Sequence, residues 1–406
     1  FHNGTVPPRR PARRARRVNL PAPGPFFNTP AQRTALARER FFEQGQRPTG
    51  IVGEAVIQSW TRCLAAGLAP QQRPEFEPVS RARMKAVLER GHTLLQAAAP
   101  EVDQLETLLA GTGCKTVLTD REGVVVRSTP AGGGAGELLD TLGRVGVYLG
   151  EPNFGSTAPG ISVSVAQDCT VSGGEHFFGV LQHLYCAAAP VRDREGRVAG
   201  VLDVSVDGAP FGFDALAVVR MAAAGIENRL LAVQSAGDLL LRFQASPALL
   251  GTPLEGLAAV AADGRVAGLN AAGARLLAQP GASPGNDVEA LFGLNLNALQ
   301  RLLGARQPRP HRLPNGLQLW LRALPPGRPS PGAGMVAVDG PGPATAQPAA
   351  PAAAASASAL RALSDQLVHD TLQRCHGNVS KAARLLGVSR GLLYRRLRGG
   401  AGGMAG

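Results

Sequence analysis

The chain has 406 residues, too many for one ordinary core, and predicts two or three domains. Hydrophobic residues make up 44% but aromatics only 4%, with 51 Gly and 32 Pro, so its cores are small-residue cores joined by many loops. Five scattered cysteines with no C-x-x-C pair speak against a disulfide framework or a zinc knuckle, and no apolar run reaches transmembrane length.

The net charge of +12 is almost wholly arginine, because Lys85, Lys115 and Lys381 are the only lysines. Six arginines and no acids in residues 1–20 net +6, and eight basic against two acidic residues in 359–400 net another +6. The rest of the chain is neutral. A neutral body with basic ends suits a sensor tied to a polyanion-binding module.

Residues 1–30 read as a disordered basic and Pro-rich tail; Pro21, Pro23 and Pro25 stand where a signal peptide would carry an apolar stretch. Residues 31–110 are rich in helix formers, with Val56, Trp60 and Leu64 at helical spacing. Trp60 and Arg62 are expected to fix a helix against the sensor core. VLTDREGVVVRS, from Val117, is a strand, a turn at Glu122-Gly123 and a second strand. YCAAAPVRDREGRVAGVLDVSVDG repeats that grammar around Glu195-Gly196, with a strand at Val198–Val206, and a helix is predicted from Phe213 to Leu241. The α+β sensor unit is placed at 111–243.

A second α+β unit is placed at 246–340. Leu257–Ala261, the Asp263-Gly264 turn, Val266–Leu269 and the helical NAAGARLLA open it, and Leu317–Ala323 and Gly334–Val338 supply later strands. Its layout resembles a PAS domain. Residues 341–358 are a Pro/Ala linker.

Leu360 to Cys375 reads as an amphipathic helix that Gly377 ends. Asn378 caps VSKAARLLG, Gly387 makes a turn, and Ser389 caps RGLLYRRLR. The spacing Ala383, Gly387, Leu393 is that of a helix-turn-helix: a small residue for close approach, a glycine for the turn, a large aliphatic residue between the helices. The module spans 359–399, and 400–406 is a disordered tail.

GNVSKAARLLGVSRGLLYRRL resembles the C-terminal domain of factor for inversion stimulation (Fis) and of enhancer-binding regulators. That resemblance implies that Ser389, Arg390, Tyr394 and Arg395 face the major groove, while Asn378, Lys381, Arg396 and Arg398 lie nearer phosphates. Arginine can bridge guanine O6 and N7, in keeping with that assignment. Leu392 stands where family members often carry a small polar residue. The resemblance also implies a homodimer on double-stranded DNA, with RNA polymerase as a further candidate partner.

Residues 50–240 resemble the GAF-type sensory region of acetoin-catabolism-type regulators, on IQSWTRCLAAGL, LLAGTGCKTVLTDREGVV, NFGSTAPG, GGEHFF and CAAAPVRDREGRVAGVLDVS. That implies a pocket for a small-molecule effector, with Asn153, Phe154, Ser156, Thr157, His176 and Cys186 as candidate binding residues. Where relatives usually show G-T-N-x-I-G-T, this chain has Glu151-Pro152-Asn153-Phe154-Gly155-Ser156-Thr157. Cys169, His176, His183 and Cys186 gather with Glu175, but their spacing matches no zinc pattern, so no metal site is assigned.

Enhancer-binding regulators carry an ATPase between sensor and helix-turn-helix. No G-x-x-x-x-G-K-[ST] occurs in this chain, and no lysine lies between 115 and 381 to serve a phosphate loop. The expected protein is therefore an α+β multidomain regulator: a GAF-like sensor, a PAS-like second unit and an all-α C-terminal helix-turn-helix. It is expected to be cytoplasmic, with no membrane contact, no cofactor and no catalytic residues. Two alternatives are a kinase-like signalling enzyme, for which His369 lacks a following nucleotide domain, and a nucleoid-type architectural protein, for which the neutral body is superfluous.

Overall fold

The computed structural model describes residues 29–130, 136–277, 285–305, 307–327 and Val379. The chain divides into two compact bodies, 1–337 and 338–406, the first of which holds both the sensor and the second α+β unit. Within the first body the sensor opens with α1 (Pro30–Arg38), capped by the Thr29 hydroxyl, and a π-turn follows over Glu39–Glu43. Then come α2 (Glu54–Ala65) and the 28-residue α3 (Arg81–Leu108), capped by Ser80.

Strands β1 (Lys115–Asp120) and β2 (Val125–Ser128) form the first hairpin. Asp120 Oδ1 accepts the Glu122 and Val124 N–H groups at 3.0 and 2.9 Å, and Gly123 takes the positive φ of 94° that the turn requires. Short helices α4 (Glu137–Leu142), α5 (Glu151–Phe154) and α6 (Ala158–Val165) lead to β3 (Cys169–Ser172). The long hairpin β4 (Leu184–Arg192) and β5 (Val198–Asp207) reuses the same device: Asp193 Oδ1 accepts Glu195 and Arg197 N–H at 3.1 and 2.9 Å. Helix α7 (Ala215–Gln234) closes the sensor.

The sensor sheet is antiparallel in the order β2-β1-β5-β4-β3. Alternation along β5 assigns its residues to two cores. Val201 joins Trp60, Phe154, Ile161, Phe177 and Cys186 beneath α2, α5 and α6. Leu202 and Val204 join Leu94, Val102, Val219 and Ile226 beneath α3 and α7. Those two helices are tied by the buried Glu101, whose carboxylate accepts two hydrogen bonds from Arg229 at 2.8 and 3.0 Å.

One expected element is corrected. The helix predicted to run to Leu241 stops at Gln234, and LLLRFQ forms β6 (Leu239–Gln244). Leu240–Gln244 are buried, so the segment lacks the alternation that betrays a strand. It is the middle strand of a second sheet, so the second unit begins before 246. That sheet continues with β7 (Gly256–Val260), β8 (Val266–Leu269), α8 (Ala271–Leu277), α9 (Val288–Phe292), α10 (Leu296–Leu303), β9 (Arg309–Arg312) and β10 (Gln318–Leu324). Its order is β8-β7-β6-β10-β9, antiparallel throughout. β9 was not predicted; RPHR is a charged edge strand, the position in which a proline is tolerated. The strand expected at Gly334–Val338, the linker 341–358 and the tail 400–406 lie outside the described residues.

The sheet's two faces meet different partners. Leu241, Phe243 and Val260 pack on Leu277, Leu291, Phe292 and Leu299 of α8–α10. Leu240, Leu257, Ala259 and Leu324 pack on Leu231 of α7. Helix α7 therefore belongs to both cores.

Candidate functional site

The candidate sensory site lies on the β3–β4–β5 face that α6 covers, and the chain reaches it from several directions. Arg38 of α1 donates to three carbonyls of one segment: Gly174 at 2.9 Å, His176 at 2.7 Å and Phe177 at 3.1 Å. Its guanidinium also lies 4.8 Å from the Phe42 ring centroid. Trp60, fully buried, donates from Nε1 to the Glu175 carbonyl at 2.8 Å. Arg62 forks onto Glu151 with two 2.6 Å hydrogen bonds, an ion pair that keeps the Arg62 pKa above its ordinary value. Both residues fix α2 against the sensor, as expected of them.

The six candidate effector residues divide into two sets. Asn153 donates from Nδ2 to the Glu75 and Tyr148 carbonyls at 3.0 and 3.2 Å. Phe154 is buried against Phe76, with ring centroids 5.3 Å apart. Ser156 Oγ lies 2.7 Å from Ser59 Oγ. Thr157 caps α6, accepting the Gly160 N–H at 3.1 Å and donating to the Leu149 carbonyl at 3.0 Å. These four brace the α5–α6 corner.

His176 and Cys186 form the second set, with Nε2 to Sγ at 3.5 Å. Burial lowers the His176 pKa to about 4, and Nδ1 faces the Gly173 carbonyl at 3.0 Å, so the ring is a neutral Nδ1–H tautomer donating to that carbonyl. Burial pushes the Cys186 thiol well above its ordinary value and the Cys169 thiol up to about 12. Neither is a thiolate nucleophile. Of the other residues once grouped with them, Glu175 closes a capping box with Ser172 and His183 is exposed.

One residue of the site was missed. Asp203 lies mid-way along β5, beside Ala188 on β4, and its neighbour two along, Ser205, lies beside Cys186. Its carboxyl is buried; Oδ2 accepts from Ser205 Oγ at 2.6 Å and Oδ1 has no partner among the described residues. Desolvation raises its pKa to about 7. The signal was present as a lone carboxylate inside VLDVSV, on the face shared with Val201. An orphaned buried oxygen carries a cost of roughly 1–3 kcal/mol that a hydroxyl or amine donor would relieve.

The residues expected to face DNA, Asn378, Lys381, Ser389, Arg390, Tyr394, Arg395, Arg396 and Arg398, lie outside the described residues; Val379 alone in that stretch is described, in a helix.

Residues 28–228 match the family described as MimR, N-terminal domain, and residues 359–399 match the bacterial regulatory protein, Fis family. The chain joins a MimR-type N-terminal domain to a Fis-family module. It is 32% identical over 297 residues, 68% of this chain, to the acetoin catabolism regulatory protein of Cupriavidus necator. It is 24% identical over 208 residues, 50% of the chain, to the acetoin dehydrogenase operon transcriptional activator AcoR of Bacillus subtilis. It is 27% identical over 204 residues, also 50% of the chain, to the propane 2-monooxygenase operon transcriptional activator MimR of Mycolicibacterium smegmatis. The chain spans 44%, 34% and 33% of these relatives' lengths.

Proposed function

We propose that this chain is a sequence-specific DNA-binding transcriptional regulator whose MimR-type domain receives a small-molecule effector and whose Fis-family module binds an operator as a homodimer. The observation that carries the reading is the presence of both families in one chain, in that order. The segment between them has no phosphate-loop motif, so regulation works through DNA occupancy without ATP hydrolysis. No helix among the described residues is long and apolar enough to cross a membrane, in keeping with a cytoplasmic regulator.

The DNA-contacting residues follow the Fis-type motif: Ser389, Arg390, Tyr394 and Arg395 toward bases, Asn378, Lys381, Arg396 and Arg398 toward phosphates. The second unit is PAS-like in layout, a five-stranded antiparallel sheet with α8–α10 on one face. The effector sits against Asp203, Cys186 and His176 and presents a hydroxyl to the unpartnered Asp203 oxygen. Acetoin, which carries one hydroxyl and is named in two relatives, is the first probe.

The test is fluorescence anisotropy of the full chain on DNA from upstream of its own coding sequence, with Arg390→Ala and Arg395→Ala. Each substitution should weaken specific binding at least about fivefold, since a bidentate base contact is worth about 1–3 kcal/mol. Affinity equal to that of the unaltered chain in both variants would overturn the assignment.

A further inference from the structure

Beyond the sensory site, a cleft of about 920 Å³ opens where α7 and the β4–β5 turn of the sensor meet β8 and α8 of the second unit. Its walls are apolar at Ala217, Met221, Leu254 and Leu269, and its polar groups are not equally committed. Arg220 is paired with Asp168 across the rim. Arg192 donates to the Ala166 carbonyl. Glu227, whose pKa burial raises, accepts the Ala271 and Arg192 N–H groups.

Besides the exposed Gln167 amide, two donors are left over. Asn270 fixes the first. Its Oδ1 accepts the Leu257 and Gly273 N–H groups at 2.9 and 2.7 Å, so its Nδ2 must be the atom that donates to the Glu255 carbonyl at 2.9 Å and to Asn228 Oδ1 at 2.6 Å. That fixes the Asn228 amide too. Asn228 Nδ2 is consequently turned away from Asn270; it is buried, lines the cleft and has no acceptor among the described residues. The second is Arg275, which lies one helical turn beyond Ala271, is exposed, and makes no hydrogen bond or salt bridge among the described residues, its charge acting on Glu227 from a distance.

We infer that this cleft between sensor and second unit is a binding site for a small organic monocarboxylate, with Asn228 Nδ2 and the Arg275 guanidinium on its carboxylate and the Ala217–Met221–Leu254–Leu269 walls around its apolar body. Both free groups are donors, so the ligand's polar end is an acceptor. Three arginines and three carboxylates line the cleft, with Arg192 and Arg275 both acting on the Glu227 charge, so the lining suits a single negative charge better than a phosphate dianion. The position gives the ligand a structural lever, because it bridges two units that otherwise meet through α7 and through Arg194 of the β4–β5 turn, which donates to the Ala267 carbonyl.

The experiment is calorimetric titration of the full chain with hexanoate and benzoate, with 1-hexanol, benzyl alcohol and inorganic phosphate as comparisons. Arg275→Gln removes the cation at an exposed position. Asn228→Asp keeps the acceptor for Asn270 but turns the free donor into a second acceptor. Either carboxylate should bind, at least tenfold more tightly than its alcohol, and each variant should weaken it at least tenfold while Asp203→Asn leaves it unchanged. The inference is overturned if neither carboxylate binds, if the alcohols or phosphate bind as well, or if Arg275→Gln binds like the unaltered chain. Loss of carboxylate binding in Asp203→Asn with retention in Arg275→Gln would move the ligand to the sensory site and also overturn it, leaving the sensory reading intact.

Discussion

Arg242 and Glu255 grip each other inside the second unit through two 2.7 Å hydrogen bonds, Nε to Oε2 and Nη2 to Oε1, with side chains only 5% and 2% exposed. Glu255 Oε2 also accepts the Gly251 N–H at 2.7 Å, so the pair holds the turn between β6 and β7. Removing one partner strands the other charge in the core. Arg242→Met should cost about 3–5 kcal/mol in urea unfolding. Adding Glu255→Leu should recover part of that loss; a double variant as unstable as the sum of the singles would show that the two charges are not coupled.

Opposed pH responses are built into the sensory site. Asp203 titrates near 7 when folded and at the ordinary carboxylate value when unfolded, so between about pH 4 and 7 the folded chain holds a proton that the unfolded chain has lost. Its contribution is present at low pH and disappears as pH rises through 7. His176 titrates near 4 when folded, so its contribution is present above its ordinary value and disappears as pH falls toward 4. Asp203→Asn removes the first slope alone. The difference in stability between unaltered chain and variant should therefore shift against the unaltered chain from pH 4.5 to 7.5, measured as urea midpoints; a difference independent of pH would refute the shift.

Much of this fold was legible in the sequence. The paired D-R-E-G turns at 120–123 and 193–196 marked both sensor hairpins because the aspartate and glycine there have local jobs, which a sequence exposes. β6 escaped because a strand buried on both faces resembles the end of an apolar helix. At the site, His176 and Cys186 were named together and do meet. Asn153, Ser156 and Thr157 were named beside them but bond to backbone and to Ser59; apart from the Thr157 cap on Gly160, those partners lie five to 97 residues away and leave no trace in spacing. Asp203 was overlooked because its meaning lies in what it lacks.

Arg38 is expected to govern the order of residues 173–178. Arg38→Ala gives up three charge-assisted hydrogen bonds and the Phe42 contact, and should cost about 2–4 kcal/mol. Amide exchange in that segment should accelerate well beyond exchange in β1 and β5. Uniform acceleration would mean that Arg38 supports the whole sensor and not the segment.

Gly200 marks where β5 runs closest to its neighbours. An added Cβ would stand 2.3 Å from the Thr119 carbonyl oxygen and 2.7 Å from Leu94 Cδ2, so Gly200→Ala should lower stability by about 1–3 kcal/mol. Gly212→Ala meets nothing within 4 Å and should stay within about 0.5 kcal/mol of the unaltered chain. Similar melting temperatures for the two variants would disprove the crowding.

Helix α7 gives Ile226 and Leu230 to the sensor core and Leu231 to the second, and between them Glu227 and Asn228 bond across the junction. Modular inheritance is constrained by that arrangement. A sensor transplanted with a cut after Asn228, where the MimR-type match ends, would leave the Ala271 N–H behind without its acceptor and Asn270 Nδ2 with the Glu255 carbonyl alone. A viable exchange of effector specificity between such regulators must carry α7 and residues 239–327 together, so that what is inherited as one piece is the joint and not the domain.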